Sequence, residues 1–134
     1  MANPAAVDMS REIQRIDETL GTAPAAPVLD LVHLSRQTFG DHALEIELLT
    51  LFERQAAQFA ARLTESRLND DKIARMELAH MLKGSARSVG ACAVGAAAEA
   101  YETALRQGDG AQARLCDALV AEIGAARAEI AGLL

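Results

Sequence analysis

Residues 76–90 read Met76-Glu-Leu-Ala-His80-Met-Leu-Lys83-Gly84-Ser85-Ala86-Arg87-Ser88-Val89-Gly90. Wound at 100° per residue, Leu78, Ala79, Leu82, Ala86 and Val89 gather within about 80° of one another. That is the buried face of an amphipathic helix. His80 falls on roughly the opposite side and points to solvent; a histidine that merely filled a core would sit on the apolar stripe. Lys83 and Gly84 follow at three and four residues, so both adjoin the imidazole on the helix surface. Glycine inside a helix costs about 1 kcal/mol relative to alanine, and an exposed Gly84 calls for a reason. Clearance for something large docking beside His80 supplies one. An ammonium one turn away favours the neutral, nucleophilic imidazole and can pair with anionic oxygens placed on its nitrogen. The combination suits a histidine that accepts and returns a phosphoryl group. Arg87 adds a cation two turns from His80, while Ser85 borders the core stripe and reads as small-residue packing.

The rest of the chain supplies partners for this helix. All three prolines (Pro4, Pro24 and Pro27) lie in the first 27 residues, so long helices are permitted from Val28 onward. Met9, Ile13, Ile16 and Leu20 form one stripe of a short amphipathic helix, about Asp8–Leu20, followed by a Gly21–Pro27 linker. Residues 1–27 therefore read as a separate N-terminal segment and 28–134 as the main domain. Asp30–Thr38 is a short helix with Leu31 and Leu34 on one face and Gly40 just past its end. Asp41 is a plausible cap for a long helix to about Ser66, with Leu44, Leu48, Leu51/Phe52, Gln55, Phe59 and Leu63 as its expected inward stripe. Asn69-Asp70 marks a turn and a cap. The third long helix spans about Asp71–Val89, ended by Gly90. A fourth, about Ala93–Arg106, turns Val94, Ala97/Ala98, Tyr101 and Leu105 inward. After the tight Gln107–Gly110 connection, a last helix of about Ala111–Gly132 aligns Leu115, Leu119, Ile123, Ala126 and Ile130. With no strand-period segment, the pattern predicts an all-α fold. Its expected form is an antiparallel up-down-up-down four-helix bundle with additional short N-terminal helices.

Composition excludes several functions. The 134 residues are 51% hydrophobic, enough for one core. Lys and Arg total 13 against 19 Asp and Glu, a formal net charge of −6, which is the wrong sign for nucleic-acid binding. No apolar run approaches the roughly 20 residues of a membrane span, and no basic segment followed by an apolar run opens the chain. A cytoplasmic protein is expected. Cys92 and Cys116 form no C-x-x-C pair and are too few for a disulfide framework, so they read as small apolar residues in a reducing compartment. No strand precedes Gly84 and Gly90, so they do not form a phosphate-binding loop, and no autonomous kinase activity is expected. His33 and His42 read as incidental. With Cys92 they lack the helical spacing of a metal site, so no metal or cofactor of the chain's own is expected.

His80-Met-Leu-Lys83-Gly84-Ser85-Ala86, followed by Val89-Gly90-Ala91, resembles the signature of histidine-containing phosphotransfer (HPt) domains, the intermediate carriers of bacterial and fungal phosphorelays. The family pattern runs roughly H-x-L-K-G-S-[SA]-x-x-[LV]-G-[AL], and the sequence fits it without a gap. The resemblance extends over about Val28–Leu134, including the leucine-rich helix with Phe52 and the Glu99-Ala-Tyr-Glu102 end of the fourth helix. It implies that His80 accepts and donates the phosphoryl group through Nε2. It further implies that Lys83 steadies the phosphoryl oxygens and that Gly84 lets the partner approach. Some members place a glutamine on the fourth helix to orient the imidazole, at the position that here holds Glu102. A carboxylate can accept the ring's Nδ1–H, but it would repel a phosphoryl group placed too close. The implied partners are response-regulator receiver domains, which bring their own Mg²⁺, and a hybrid histidine kinase. They would dock on a strip of Glu77, Met81, Gly84 and Arg87 with adjacent positions of the second helix. A bundle that buries its stripes internally is expected to be a monomer. The alternatives are a helical docking module that carries no phosphate and a purely structural bundle; the His80-Lys83-Gly84 constellation separates the first reading from both.

Overall fold

A computed structural model describes residues 26–65, 71–108 and 110–134. The expected Asp8–Leu20 helix, most of the linker, Ser66 and Asn69-Asp70 lie outside them. Three aspartates start the first three helices. Asp30 accepts a hydrogen bond from the His33 amide at 3.0 Å, Asp41 from Leu44 at 3.1 Å and Asp71 from Ala74 at 2.9 Å. Each satisfies a backbone donor that the first turn leaves without a partner. The helices that follow are α1 (Leu31–Gln37), α2 (His42–Thr64) and α3 (Lys72–Ser88). Two more, α4 (Cys92–Gln107) and α5 (Gln112–Leu133), complete the described chain. It is all-helical, with no strand among the described residues.

Gly90 ends α3 for a steric reason. Its φ is +80°, and a Cβ there would stand 2.6 Å from the Asp30 carbonyl oxygen. The close approach is used: the Asp30 amide donates to the Gly90 carbonyl at 2.7 Å, and the Ala93 amide to Pro27 at 2.9 Å. His33 completes this tie, its Nε2 donating to the Arg87 carbonyl at 2.9 Å. Expected to be incidental, His33 instead fastens α1 to the end of α3.

The four longer helices pack in sequence, α2 on α3, α3 on α4 and α4 on α5, and α5 closes back on α2. Arg75, early in α3, reaches Tyr101 late in α4, whereas Arg87, late in α3, reaches Glu99 nearer the start of α4. The buried face of α3 holds Leu78, Ala79, Leu82 and Ala86, continued by Val89 just past its end, the stripe read from the sequence. On α4, Val94, Ala98, Tyr101 and Leu105 are buried, and on α5 Leu119, Ile123, Ala126 and Ile130. Fully buried alanines (Ala56, Ala79, Ala86, Ala98 and Ala126) let the helices approach closely.

The inward face of α2 matches the expected one at Phe52, Phe59 and Leu63 and departs from it elsewhere. Leu49, Phe52, Ala56, Phe59 and Leu63 are buried, while Leu44 and Leu51 are 38% and 53% exposed. The buried row is rotated by about 60° from the expected centre. It sets the small Ala56 among bulky neighbours, so adjacent helices can come close there. The Leu44 row carries Gln55 in its middle.

Sequence periodicity also missed a buried polar contact. Arg75 is 7% exposed. Its Nε donates to the Tyr101 hydroxyl, its Nη2 donates to Cys116 Sγ at 3.4 Å, and its guanidinium carbon lies 5.3 Å from the Tyr101 ring centre. Both cysteines are free, Cys116 buried and Cys92 half-buried.

Candidate functional site

The apolar stripe of α3 turns His80 outward, and its side chain is 66% exposed. The ring is nevertheless held. Nδ1 lies 3.1 Å from Oε2 of Glu102 on α4. Glu102 Oε1 accepts from Lys83 Nζ at 3.0 Å, and Oε2 accepts from Arg106 Nη2, also at 3.0 Å. One buried carboxylate therefore receives three donors. A neutral ring donates Nδ1–H to Glu102 and keeps its lone pair on Nε2. None of the described residues bonds Nε2.

Burial alone would raise the Glu102 pKa. The Lys83 hydrogen bond and charge, followed by those of His80, outweigh it and hold the carboxyl below its ordinary value. Glu102 is thus an anion at neutral pH. A buried anion is tolerated because its lone pairs are matched by charged donors. The amphipathic pattern of α4 did not reveal this, since Glu102 sits beside Tyr101 on a face otherwise apolar.

The other expected site residues fall around the ring. Gly84 is exposed, and a Cβ there would meet no heavy atom within 4 Å; packing within the fold does not require glycine at this position. Met81 is 59% exposed and Glu77 is exposed. Both line a surface hollow with His80, Ile73, Met76 and Glu102. On its other side Met81 borders a hollow between α2 and α3, with Gln55, Gln58, Phe59, Arg62 and Ser85. Sequence reasoning had not picked out Ile73 and Met76. Their signal was present: residues 73, 76, 77, 80 and 81 form one row outside the core face, and three of them, Ile73, Met76 and Met81, are apolar where a solvated face needs none.

The cations are less free than their spacing implied. Lys83 is 19% exposed and turned toward Glu102. Arg87 forms a 2.6 Å ion pair with Glu99 and lies across Gly95, where a Cβ would stand 3.1 Å from the arginine chain. The two cations near His80 are therefore members of charge pairs. His42 is in the first turn of α2, its Nδ1 3.4 Å from Glu45. Among the described residues no three His, Cys, Asp or Glu side chains gather as a metal site. No helix among them is long and apolar enough to cross a membrane.

An exposed histidine on a helical scaffold, held by a carboxylate from the next helix and open at Nε2, is a nucleophilic nitrogen presented at the surface. The model of the Hpt domain matches residues 47–129, more than half of the chain, and the protein belongs to the Hpt domain family. Such domains are phosphoryl carriers rather than enzymes. They serve histidine phosphotransfer in phosphorelay signalling, in contact with receiver domains and kinases. No curated protein and no solved structure matches the chain.

Proposed function

We propose that the protein is a phosphorelay intermediate: His80 accepts a phosphoryl group from the aspartyl phosphate of one receiver domain and passes it to another. The observation that carries this reading is the ring itself, solvent-facing at Nε2 and anchored at Nδ1 by a buried anion. Attack by the Nε2 lone pair forms the N–P bond as the bond from phosphorus to the aspartyl oxygen breaks, and the aspartate leaves as a carboxylate. The Nδ1 proton stays in its bond to Glu102. Catalysis in such a transfer rests on positioning and charge stabilisation. Glu102 fixes the ring, Lys83 turns to the phosphoryl oxygens, and Mg²⁺ comes with the receiver. The scaffold is an antiparallel up-down-up-down four-helix bundle acting as a cytoplasmic monomer. Receivers, and the hybrid kinase that feeds them, dock on the strip of Glu77, Met81, Gly84 and Arg87 and the facing side of α2.

The test is phosphotransfer profiling against the receiver domains of the source organism, each phosphorylated beforehand. The expected product is acid-labile, base-stable phosphate on the wild type and none on His80→Gln. If no receiver loads the wild type, the docking module that carries no phosphate replaces this reading.

A further inference from the structure

We propose that Arg106 is a positioning residue of the phosphoryl site, neutralising Glu102 when the phosphoryl group draws Lys83 away. This rests on His80 being the phosphoryl acceptor. At rest Glu102 shares Oε2 between His80 and Arg106, and gives Oε1 to Lys83. Lys83 and His80 lie one turn apart on α3, so a phosphoryl group on Nε2 competes with Glu102 for that ammonium. Arg106 lies one turn beyond Glu102 on α4 and stays with the carboxylate whatever α3 carries.

Charge counting shows what this accomplishes. With the ring neutral, Glu102 negative and Lys83 and Arg106 positive, the resting cluster has one net positive charge. The phosphoryl group brings roughly two negative charges, and the ring, keeping its Nδ1 proton, becomes cationic. The loaded cluster is then neutral. Without Arg106 it would pass from neutral to one net negative charge, with an anionic carboxylate facing the phosphoryl group over a single shared ammonium. Arg106 thereby makes a buried carboxylate compatible with a phosphohistidine. Its side chain is 58% exposed, so solvent and salt screen the effect.

Phosphoramidate, a small donor that needs no receiver, tests this directly. The Nε2–P bond forms as the P–N bond of phosphoramidate breaks, and ammonia leaves with the protons its nitrogen already carries. The initial rate of labelling is read by intact mass, with thermal melts to show that each variant is folded. Arg106→Ala is expected to slow labelling about twofold to fivefold at low salt, the range of a partly exposed ion pair. The difference should narrow as salt is added, and Arg106→Lys should retain most of the rate. In a Glu102→Gln background no carboxylate remains to be neutralised, so Arg106→Ala should have no further effect. A merely structural loss at the end of α4 would slow both backgrounds alike, and that result overturns the proposal. So does an Arg106→Ala protein that labels at the wild-type rate, a result that leaves the carrier reading intact. A wild type labelled neither by phosphoramidate nor by any receiver ends both.

Discussion

Glu102 couples the electrostatics of the site to the stability of the fold. Its carboxyl is held below the ordinary range despite burial, because Lys83 and His80 favour the charged form. The unfolded chain therefore takes up this proton at higher pH than the folded one, and the stabilisation is present above the unfolded value. It is lost as pH falls through the depressed folded value. Wild type is expected to exceed Glu102→Gln in denaturant stability at neutral pH, and the advantage should fade below about pH 4. An advantage that persisted unchanged into acid would refute the ion-pair account. Lys83 makes a separate prediction. Lys83→Ala should slow transfer at saturating receiver more than it weakens docking, as the proposed action of the ammonium on the phosphoryl oxygens rather than on the partner requires. An unchanged transfer rate would remove Lys83 from the mechanism.

At the scale of elements, α3 and the turn that ends it carry two glycines of opposite character. Gly84 is helical and unopposed, so Gly84→Ala should stabilise the protein by about 1 kcal/mol. Gly84→Gln should leave the fold intact but weaken receiver binding in a titration; unchanged affinity would place docking elsewhere. Gly90 is the reverse. Its left-handed backbone and the Asp30 oxygen 2.6 Å from a Cβ position make Gly90→Ala destabilising by roughly 1–3 kcal/mol in denaturant melts. The stripe of α3 was legible from sequence because its apolar residues fall in one row. The stripe of α2 was legible only in part: Phe52, Phe59 and Leu63 were expected inward and are buried, but two adjacent rows are apolar and local periodicity cannot choose between them. Packing against α3 and α5 chose the row containing Ala56.

For the whole molecule, the contact between Arg75 and Tyr101 joins α3 to α4, and Cys116 adds α5. Burial, reinforced by Cys116 and opposed by Arg75, pushes the Tyr101 phenol up to about 12. Tyr101 is the chain's single tyrosine, so its phenolate absorbance reports this site alone. Between about pH 10 and 12 the unfolded chain releases a proton that the fold retains, so stability should fall with rising pH. Phenolate absorbance should stay low through pH 10 and appear near 12 or on unfolding. Ionisation at an ordinary value with the fold intact would contradict the buried contact.

The sequence by itself determined the helices, the Asp41 cap, the core face of α3 and the outward placement of His80 beside Lys83 and Gly84. These depend on residues within a few positions of one another, where the helical repeat and backbone capping set the geometry. The family resemblance had pointed to Glu102, 22 residues beyond His80, as a partner of the ring; only the tertiary structure decided that it also accepts from Lys83 and is shared with Arg106. It also decided that Arg75 is buried and which row of α2 faces inward. These depend on the angle and depth at which helices meet, set by the close packing of small and large side chains across the whole core.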